Sequence, residues 1–291
     1  QTFFLWIYSK TEHAIKKQKN MKAILLTGGS SGIGLATAQL LMNKGYRVYS
    51  GSRRGGGEAQ KSSSGGEIIP LILDVNDEES VKAAVEKIVA ENQQLYAVIS
   101  NAGNGIAGAV EDSNSEEVKY QFETNFFGSV KVIQACLPVF RKQGHGKIIA
   151  TTSVAAVIPI PFQAFYSAGK AALQIFVEAM AMEVKPFGIQ CCTVLPGDTK
   201  TEFTNARQYT SASNNEKSAY YKRMKVGVEK MEHDEQNGMK PEAIAKAIVR
   251  QIERRKMKSR VIPGLMYKAI CTVSDLLPNA LRLKLINMVY S

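Results

Sequence analysis

Two side chains that could move a proton lie four residues apart, at Tyr166 and Lys170. In a helix, residues i and i+4 share a face, so the phenol and the ammonium would be neighbours. An ammonium about 4 Å away favours the phenolate by up to about 4 kcal/mol at an effective dielectric near 20. This would lower the pKa of Tyr166 by at most about three, less whatever burial takes back. The pair therefore predicts a general acid/base tuned by a lysine.

Two polar residues precede this pair and complete a possible catalytic set. Ser153 follows the apolar run 147–152 and stands thirteen residues before Tyr166, and Asn125 lies in a long helical pattern over 117–141. When hydride adds to a carbonyl, negative charge develops on the oxygen, and a serine hydroxyl can stabilise it. A strand-end serine or a helical asparagine alone is usually structural. A phenol tuned by a lysine, with a serine hydroxyl at the same oxygen, would suit the interconversion of a carbonyl and an alcohol.

A glycine-rich turn follows the first apolar run. Residues 27–34 read TGGSSGIG and lead directly into a helical pattern. Glycines let the backbone approach a pyrophosphate, and the following helix offers free N–H groups and a positive dipole end. The turn predicts a dinucleotide site formed by Gly28, Ser30, Ser31, Gly32, Ile33 and Gly34.

The second predicted strand, 47–51, is followed by Arg53 and Arg54, and the next acidic residue is Glu58. NAD-selective sites place a carboxylate here for the ribose 2′-hydroxyl, whereas an arginine suits a 2′-phosphate. We therefore expect NADP(H) to be favoured over NAD(H), with Arg53 as the main contact and Arg54 as a second candidate.

Apolar runs of strand length alternate with helical patterns along the chain, which predicts βαβ units and a parallel sheet. The fold expected is α/β, a doubly wound parallel sheet of the Rossmann type, in a single domain over 21–264.

Two segments depart from the alternation of strands and helices. The Gly/Ser-rich segment 54–66 indicates a flexible loop, and the polar segment 201–239, after the sixth strand, indicates a substrate lid. The strands expected are 23–27, 47–51, 68–73, 96–100, 147–152 and 189–195, and the later helices are 164–184 and 241–255.

The turn spacing TGxxxGxG, taken with Asn125, Ser153, Tyr166 and Lys170, resembles the short-chain dehydrogenase/reductase family. The resemblance covers Lys22 to about Gly264. It implies that these four residues are the family's catalytic tetrad. It also implies that Lys170 binds the nicotinamide ribose hydroxyls and that Asn125 holds a water linking the lysine to solvent.

Three further stretches are similar to the family's cofactor contacts. Asp74-Val75 resembles the pair beside the adenine, and the sequence NAG at 101–103 matches the turn after the fourth strand. The stretch 196–201 resembles the PGxxxT segment beside the carboxamide, although Thr199 stands where the family often has a branched aliphatic residue. The contacts implied are Asp74, Val75, Asn101, Ala102, Gly103, Tyr166, Lys170, Pro196, Gly197, Thr199 and Thr201.

Arg53 and the GMKPE sequence at 238–242 resemble, more loosely, the hydroxysteroid and retinol dehydrogenase-like group. This likeness suggests a hydrophobic alcohol or ketone as substrate, of steroid, retinoid or lipid type.

Composition excludes several other classes of protein. The 291 residues carry 37 Lys and Arg against 26 Asp and Glu, a formal charge of +11, yet no nucleic-acid-binding signature accompanies the charge. The basic run 254–260 indicates a solvated helix end. The three histidines lack metal-binding spacing and the four cysteines form no C-x-x-C pair, so we expect no metal and a reducing compartment such as the cytoplasm.

Both ends of the chain are expected to lie outside the catalytic domain. Residues 1–20 form a leader with a six-residue apolar run, too short to span a bilayer, with a weak membrane-surface anchor as the alternative. Residues 265–291 have the pattern of an amphipathic helix. We expect it to pack on the domain or on a twin subunit of a homodimer or homotetramer, with peripheral membrane contact as the alternative.

Two other functions fit parts of the sequence. A nucleotide-sensing regulator could keep the fold without catalysis, but it would be expected to have lost part of the tetrad, which is complete here. An epimerase or dehydratase of related fold would usually carry a TGxxGxxG turn, which this chain lacks. An oxidoreductase acting on a carbonyl or alcohol remains the main hypothesis.

Overall fold

A mostly parallel β-sheet forms the centre of the computed structural model, which describes residues 21–55 and 57–290. Its spatial order is β10-β8-β7-β5-β1-β2-β4-β3, and every pairing is parallel except that of β3 with β4. Two short strands, β6 and β9, pair separately. The strands are β1 (Ala23–Thr27), β2 (Arg47–Ser52), β3 (Gln60–Lys61), β4 (Glu67–Ile72), β5 (Ala97–Ser100), β6 (Ile106–Ala107), β7 (Gly146–Thr151), β8 (Ile189–Val194), β9 (Gln208–Tyr209) and β10 (Arg260–Val261).

Sheet growth changes direction between β1 and β5. From β1 the chain adds β2 and β4 on one side, and then crosses back to add β5, β7, β8 and β10 on the other. Loops that leave β1 and β5 therefore diverge and open a crevice at the carboxyl ends of the strands. The prediction of a doubly wound parallel sheet is confirmed.

Helices cover both faces of the sheet. On one face α2, α4 and α5 bury residues such as Val85, Ile133 and Leu173, and on the other α1 and α7 bury Leu41 and Ile248. Because both faces are covered, the central strands are apolar throughout instead of alternating. The helices are α1 (Gly32–Asn43), α2 (Glu78–Asn92), α3 (Ser115–Phe122), α4 (Ser129–Gln143), α5 (Ala164–Val184), α6 (Tyr221–Gln236), α7 (Pro241–Glu253), α8 (Leu265–Leu276) and α9 (Asn279–Val289).

The helical pattern over 117–141 is not one regular helix. A π-helical turn, Glu123–Gly128, separates α3 from α4 and contains Asn125. Gly128 in this turn packs tightly, since a Cβ there would lie 2.7 Å from the Val75 side chain. π turns are rare and frequently occur at functional sites, and this one sets the direction of the Asn125 side chain.

The segment 54–66 is more ordered than predicted. Residues 60–61 form β3, an antiparallel strand at the sheet edge. The turn that follows is tied down because the Ser62 and Ser64 hydroxyls donate to the Met42 carbonyl at the end of α1, at 2.9 and 3.1 Å. The prediction of a flexible loop is wrong for residues 60–66, because the serines cap a helix that is distant in sequence.

The basic run 254–260 was expected to be a solvated helix end, and its first part agrees: Arg254 is the C-cap of α7, and the basic residues from Arg254 to Lys258 are exposed. The run then leads into β10, a strand at the other edge of the sheet, which was not predicted. Arg260 is not simply solvated, since its Nη2 contacts Glu178 Oε1 of α5 at 2.7 Å.

The predicted lid segment, 201–239, contains the short strand β9 and the helix α6. The pairing of β9 with β6 joins it to the loop after β5. Helix α6 buries Met224, Val228 and Met231 in a small cluster of its own. The segment therefore covers the carboxyl ends of the strands with a packed helix.

The C-terminal pattern forms two helices, α8 and α9, broken at Leu277-Pro278. None of the described helices is long and apolar enough to cross a bilayer. The leader assigned to residues 1–20 lies outside the described residues.

The close packing of α1 on the glycine turn can be tested at Gly34, where a Cβ would lie 1.9 Å from the Gly28 carbonyl oxygen. Gly34→Ala is expected to lower the free energy of unfolding by about 1–3 kcal/mol, because the backbone must shift to admit the methyl group. Thermal unfolding measures the change. Gly169→Ala is the matched control, since its Cβ would meet only Asn125 Cβ at 3.9 Å; equal losses in both variants would contradict the packing described.

Candidate active site

A cavity of about 820 Å³ opens at the carboxyl ends of the strands, where the sheet changes direction. The two glycine-turn serines, the NAG turn and Tyr166 all line this one space. Of the predicted cofactor residues, the lining contains Gly28, Ser30, Ser31, Gly32, Ile33, Arg53, Arg54, Asp74, Val75, Asn101, Ala102, Gly103, Tyr166, Lys170, Pro196, Gly197, Thr199 and Thr201. Gly34 is the exception and lies behind the turn.

The glycine turn has the geometry of an anion site. Gly28 and Gly32 adopt positive φ angles of 68° and 52°. Glycine adopts such angles readily, whereas residues with a β-carbon are strained there. Ser31 is the N-cap of α1, and its exposed side chain makes no capping hydrogen bond to the helix. The first N–H groups of α1 therefore point into the cavity without a side-chain acceptor, as a pyrophosphate site requires.

The NAG turn is fastened to the glycine turn through the buried Thr27. Its hydroxyl oxygen accepts hydrogen bonds from the N–H groups of Asn101 and Ala102 at 3.0 and 3.1 Å. The Asn101 side chain in turn donates to the Gly28 carbonyl at 3.3 Å. These contacts hold the loops after β1 and β5 in a fixed relation across the crevice.

Arg53 and Arg54 stand exposed at the end of β2, where they line one end of the cavity. Within residues 21–55 and 57–290, neither guanidinium forms an ion pair with an acidic side chain. In the loop after β4, the Asp74 side chain accepts a hydrogen bond at Oδ1 from the Asn76 N–H at 3.0 Å. Two positive charges are thus available to an acidic ligand at this end.

The other end of the cavity holds Tyr166, Ser153 and Lys170. The Ser153 side chain is close enough to the Tyr166 phenol to lower the pKa of that group, and both residues line the cavity. Lys170 follows one helical turn later, with Nζ 5.8 Å from the centre of the Tyr166 ring. Its ammonium donates to the Thr151 carbonyl at the end of β7, at 3.1 Å. The sequence prediction that these three side chains meet in one place is therefore supported by their geometry.

The pKa values differ from the sequence expectation. Burial raises the pKa of Tyr166 to about 12, and the Ser153 side chain offsets only part of this effect. Burial lowers the pKa of Lys170 to about 8. The Lys170 ammonium donates to the Thr151 carbonyl and is not among the groups that lower the pKa of Tyr166. At neutral pH the phenol is therefore protonated and able to donate a proton.

Asn125 is fully buried behind the cavity wall. Its side chain donates to the Asn104 carbonyl at 2.8 Å and accepts from the Asn104 N–H at 3.1 Å. It also lies against Gly103, where a Cβ would be 2.7 Å from its Oδ1 and 3.5 Å from Lys170 Nζ. Asn125 thus fixes the loop that borders the lysine; the water that the family resemblance assigns to it stays a prediction.

A buried hydroxyl without a partner also faces the site. Thr151 Oγ1 makes no hydrogen bond within the described residues, although Thr151 lines the cavity beside Lys170. Together with the unfilled helix terminus and the free arginines, this atom marks a space shaped for a polar ligand. The residues present fit a nicotinamide dinucleotide, with phosphate groups at the glycine turn and the reactive ring near Tyr166.

Comparison with known proteins agrees with this geometry. The sequence profile for short chain dehydrogenases matches residues 22–212. The 3-ketodihydrosphingosine reductase of Bacteroides thetaiotaomicron is 40% identical over 244 residues, covering 83% of this chain and 87% of that protein. This chain belongs to the short-chain dehydrogenase family.

Two further comparisons extend the result. Retinol dehydrogenase 8 of Bos taurus is 28% identical over 269 residues, covering 86% of this dehydrogenase and 85% of that protein. A short-chain dehydrogenase from Burkholderia phymatum, solved in complex with NAD, superposes with a TM-score of 0.73 at 17% identity, over 89% and 94% of the two chains. The protein is an oxidoreductase acting on CH–OH groups, and a nicotinamide cofactor fits its fold.

The PGxxxT segment of this dehydrogenase closes over the glycine turn. A Cβ on Gly32 would lie 3.2 Å from the Thr201 side chain. Thr199, the departure from the family pattern, turns its hydroxyl back to the Gly197 carbonyl at 2.8 Å and pairs with Met239 as an isolated bridge. The threonine is therefore accommodated by a local hydrogen bond, and the segment keeps its place in the cavity wall.

Sequence reasoning missed a buried ion-pair network under the lid. The Arg207 side chain is fully buried, and its Nη2 lies 2.5 Å from Glu235 Oε1 of α6. Glu235 also accepts from the Thr204 hydroxyl at 2.7 Å. With its oxygen turned toward the guanidinium, the Gln163 amide accepts from Arg207 Nε and Nη2 at 3.0 and 3.1 Å.

This network joins α6 to the residue that precedes α5, three positions before Tyr166. The Phe203 ring completes the link, lying 5.8 Å from the Tyr166 ring between centres. The partners are up to 72 residues apart in the sequence, and none belongs to a local motif. Only the polar character of the lid segment could have hinted at them.

Arg207→Met tests this network. Removing the guanidinium leaves the Glu235 carboxylate largely buried without a cation, which is expected to cost about 3–5 kcal/mol of folding free energy. The melting temperature should fall by several degrees, at about 2–4 °C per kcal/mol. Lys230→Met is the control, because Lys230 forms an exposed pair with Asp234 on the same helix. A similar small shift in both variants would argue against the network.

Proposed function

We propose that this short-chain dehydrogenase reduces a ketone or aldehyde on a hydrophobic, lipid-like substrate, with NADPH favoured over NADH. One observation carries the proposal: Tyr166, Ser153 and Lys170 line the same cavity as the glycine turn. A screen of ketones and aldehydes with NADPH, following loss of its absorbance, tests the reaction class.

In this proposal the side chains act on the substrate oxygen. A bound dihydronicotinamide would supply the hydride that the carbonyl carbon receives. The Tyr166 hydroxyl donates its proton to the oxygen, and the Ser153 hydroxyl hydrogen-bonds to the same oxygen as charge develops on it. The Lys170 ammonium favours the phenolate that remains, which offsets part of the cost that burial imposes on this anion. Asn125 keeps the neighbouring loop in place.

The reductive direction is proposed from the likeness to a relative that is named as a reductase. A protonated Tyr166 phenol, whose pKa burial raises to about 12, is compatible with this direction because it can donate its proton to the substrate oxygen.

The preference for NADPH is supported by Arg53 and Arg54. Arg53 and Arg54 line the cavity at the end of β2, and the first acidic residue that follows β2 in the sequence is Glu58. An arginine fork matches the geometry of a phosphate and carries a charge that a hydroxyl does not need.

The substrate class is supported by the cavity wall and by the relatives. Val154, Ile160 and Phe203 line the end that holds Tyr166. The relative with 40% identity is named for the reduction of 3-ketodihydrosphingosine, a ketone on a long alkyl chain. A hydrophobic ketone therefore suits this chain better than a sugar or a small acid. We further propose a homodimer or homotetramer, which sedimentation analysis would test.

Tyr166→Phe is expected to reduce turnover by about 10²- to 10⁴-fold, the usual contribution of a general acid, because no proton reaches the oxygen. Binding of the cofactor, followed by quenching of protein fluorescence or by calorimetry, should change little. Tyr120→Phe is the matched control, since this phenol lines the same cavity. Retained turnover in Tyr166→Phe would remove the assignment.

Arg53→Ala is expected to raise the KM for NADPH by about 10- to 100-fold, corresponding to the 1.5–3 kcal/mol of a charged hydrogen bond. The KM for NADH should stay nearly constant, because NADH lacks the 2′-phosphate. Steady-state kinetics with each cofactor gives the ratio of the KM for NADPH to the KM for NADH in the wild-type protein and in the variant. Arg255→Ala is the control. It removes an exposed arginine that precedes β10, at the sheet edge away from β2, and it should alter the KM of neither cofactor. A wild-type enzyme that prefers NADH would refute the cofactor assignment.

A further inference from the structure

Helix α8 exposes its apolar side chains to solvent. Leu265 and Leu276 are 88% and 80% exposed, and Val273 on the same side is 54% exposed. The side that faces the domain holds Cys271 and Ser274, which are both buried. A surface helix ordinarily buries its apolar stripe and exposes its polar one, so this arrangement is reversed.

Helix α9 continues the same arrangement. Leu281, Leu285 and Met288 stand at i, i+4 and i+7, on one helical face, and all three are exposed. The opposite face carries Ile286, and the segment ends at Tyr290, which packs with Phe162 against the cluster that contains Met224. No residue of α9 is fully buried. The helix is held by its end and leaves its leucines uncovered.

Six exposed apolar residues lie on these two consecutive helices, and we call them the C-terminal apolar face: Leu265, Val273, Leu276, Leu281, Leu285 and Met288. Among the described residues nothing covers it. Exposed apolar side chains grouped in this way mark an interaction surface. Lys268 and Lys284 are exposed on the same two helices, and Asp275 is the single acidic residue between 265 and 290.

We propose that the C-terminal apolar face docks on a lipid bilayer that contains acidic headgroups. Leucines and a methionine can enter the boundary between headgroups and acyl chains, while the lysines remain at the level of the lipid phosphates. The formal charge of +11 adds long-range attraction to an anionic surface.

A second copy of the chain is a poorer occupant of this face. A two-fold contact would place the same patch against itself, so Lys268 and Lys284 would approach their own copies with one aspartate on each side to balance them. A bilayer with acidic lipids supplies the opposite charge instead. Charge complementarity therefore selects the membrane surface.

The docking face is joined to the active-site cavity. Tyr267, on α8, donates its hydroxyl to Asp198 Oδ2 at 2.8 Å, and Asp198 lines the cavity. The same ring lies against Gly197, where a Cβ would be 2.3 Å from it. Docking through α8 would hold this part of the cavity wall close to the bilayer, which is useful to an enzyme whose substrate resides in a membrane.

Flotation of the full chain with lipid vesicles tests the proposal without any use of activity. The wild-type protein should float with vesicles of phosphatidylcholine and phosphatidylglycerol, and much less with phosphatidylcholine alone or in high salt. Leu265→Asp/Leu276→Asp should lower the partition coefficient at least about ten-fold, because two large apolar side chains no longer enter the boundary. Lys268→Glu/Lys284→Glu should lower it by a similar factor on the anionic vesicles.

Single variants matched for charge and exposure give the control. Ile72→Asp changes a side chain that is 73% exposed on β4, near the other edge of the sheet from β10, and Leu276→Asp changes one that is 80% exposed. Only Leu276→Asp should weaken flotation, and both variants should keep the wild-type melting temperature.

Three results would overturn the proposal. The wild-type protein could fail to float with anionic vesicles, or Leu265→Asp/Leu276→Asp could float as well as wild type. The double variant could also lose a subunit contact in light scattering while flotation is unchanged, which would assign the face to a second copy. Because flotation needs no cofactor or substrate, none of these results depends on the function proposed above.

Discussion

The site depends on a lysine that must carry charge while buried. Lys170 is 4% exposed, and its ammonium donates to the Thr151 carbonyl. Burial lowers the pKa of this group to about 8, from an ordinary value near 10.5. Below pH 8 the charged form costs the fold about 3 kcal/mol. This cost is relieved between about pH 8 and 10.5, where the unfolded chain binds the proton and the folded chain does not.

The surrounding elements are arranged around this charge. Helix α5 carries Tyr166 and Lys170 on one face, and β7 ends so that the Thr151 carbonyl meets the ammonium. The π-helical turn directs Asn125 to the loop at Gly103 and Asn104, which borders the lysine. Across the crevice, Thr27 fixes the NAG turn to the glycine turn. The sheet topology thus brings a phosphate site and a proton donor to the same space.

Much of this arrangement could be predicted because its signals are local. The glycine turn is contiguous, Tyr166 and Lys170 are one helical turn apart, and the alternation of strands and helices determines the sheet. The positions of Asn125 and Ser153 followed from a family resemblance. What these signals could not give was protonation, since the effect of burial on Tyr166 depends on everything packed around it.

The features that sequence reasoning missed are formed by residues distant in the chain. Arg207 finds Gln163 and Glu235 only after the lid helix packs on the domain. The edge strands β3 and β10 are two residues long, too short to leave a pattern. The C-terminal segment was expected to pack on the domain or on a twin subunit; its contacts with the domain include those of Tyr267 and Tyr290, and many of its leucines are exposed. In each case a tertiary contact outweighs a local preference.

The pH dependence of kcat/KM for NADPH, at saturating ketone, tests the central role of Lys170 most directly, because this parameter reports the free enzyme. The folded pKa of Lys170 is lowered to about 8, so its charge is present below that pH and lost above it. The account predicts a rate that is level below about pH 8 and falls above it, and a fall that moves to higher pH in Lys170→Arg, whose guanidinium keeps its charge. A level profile through pH 10, or the same fall in Lys170→Arg, would contradict the account.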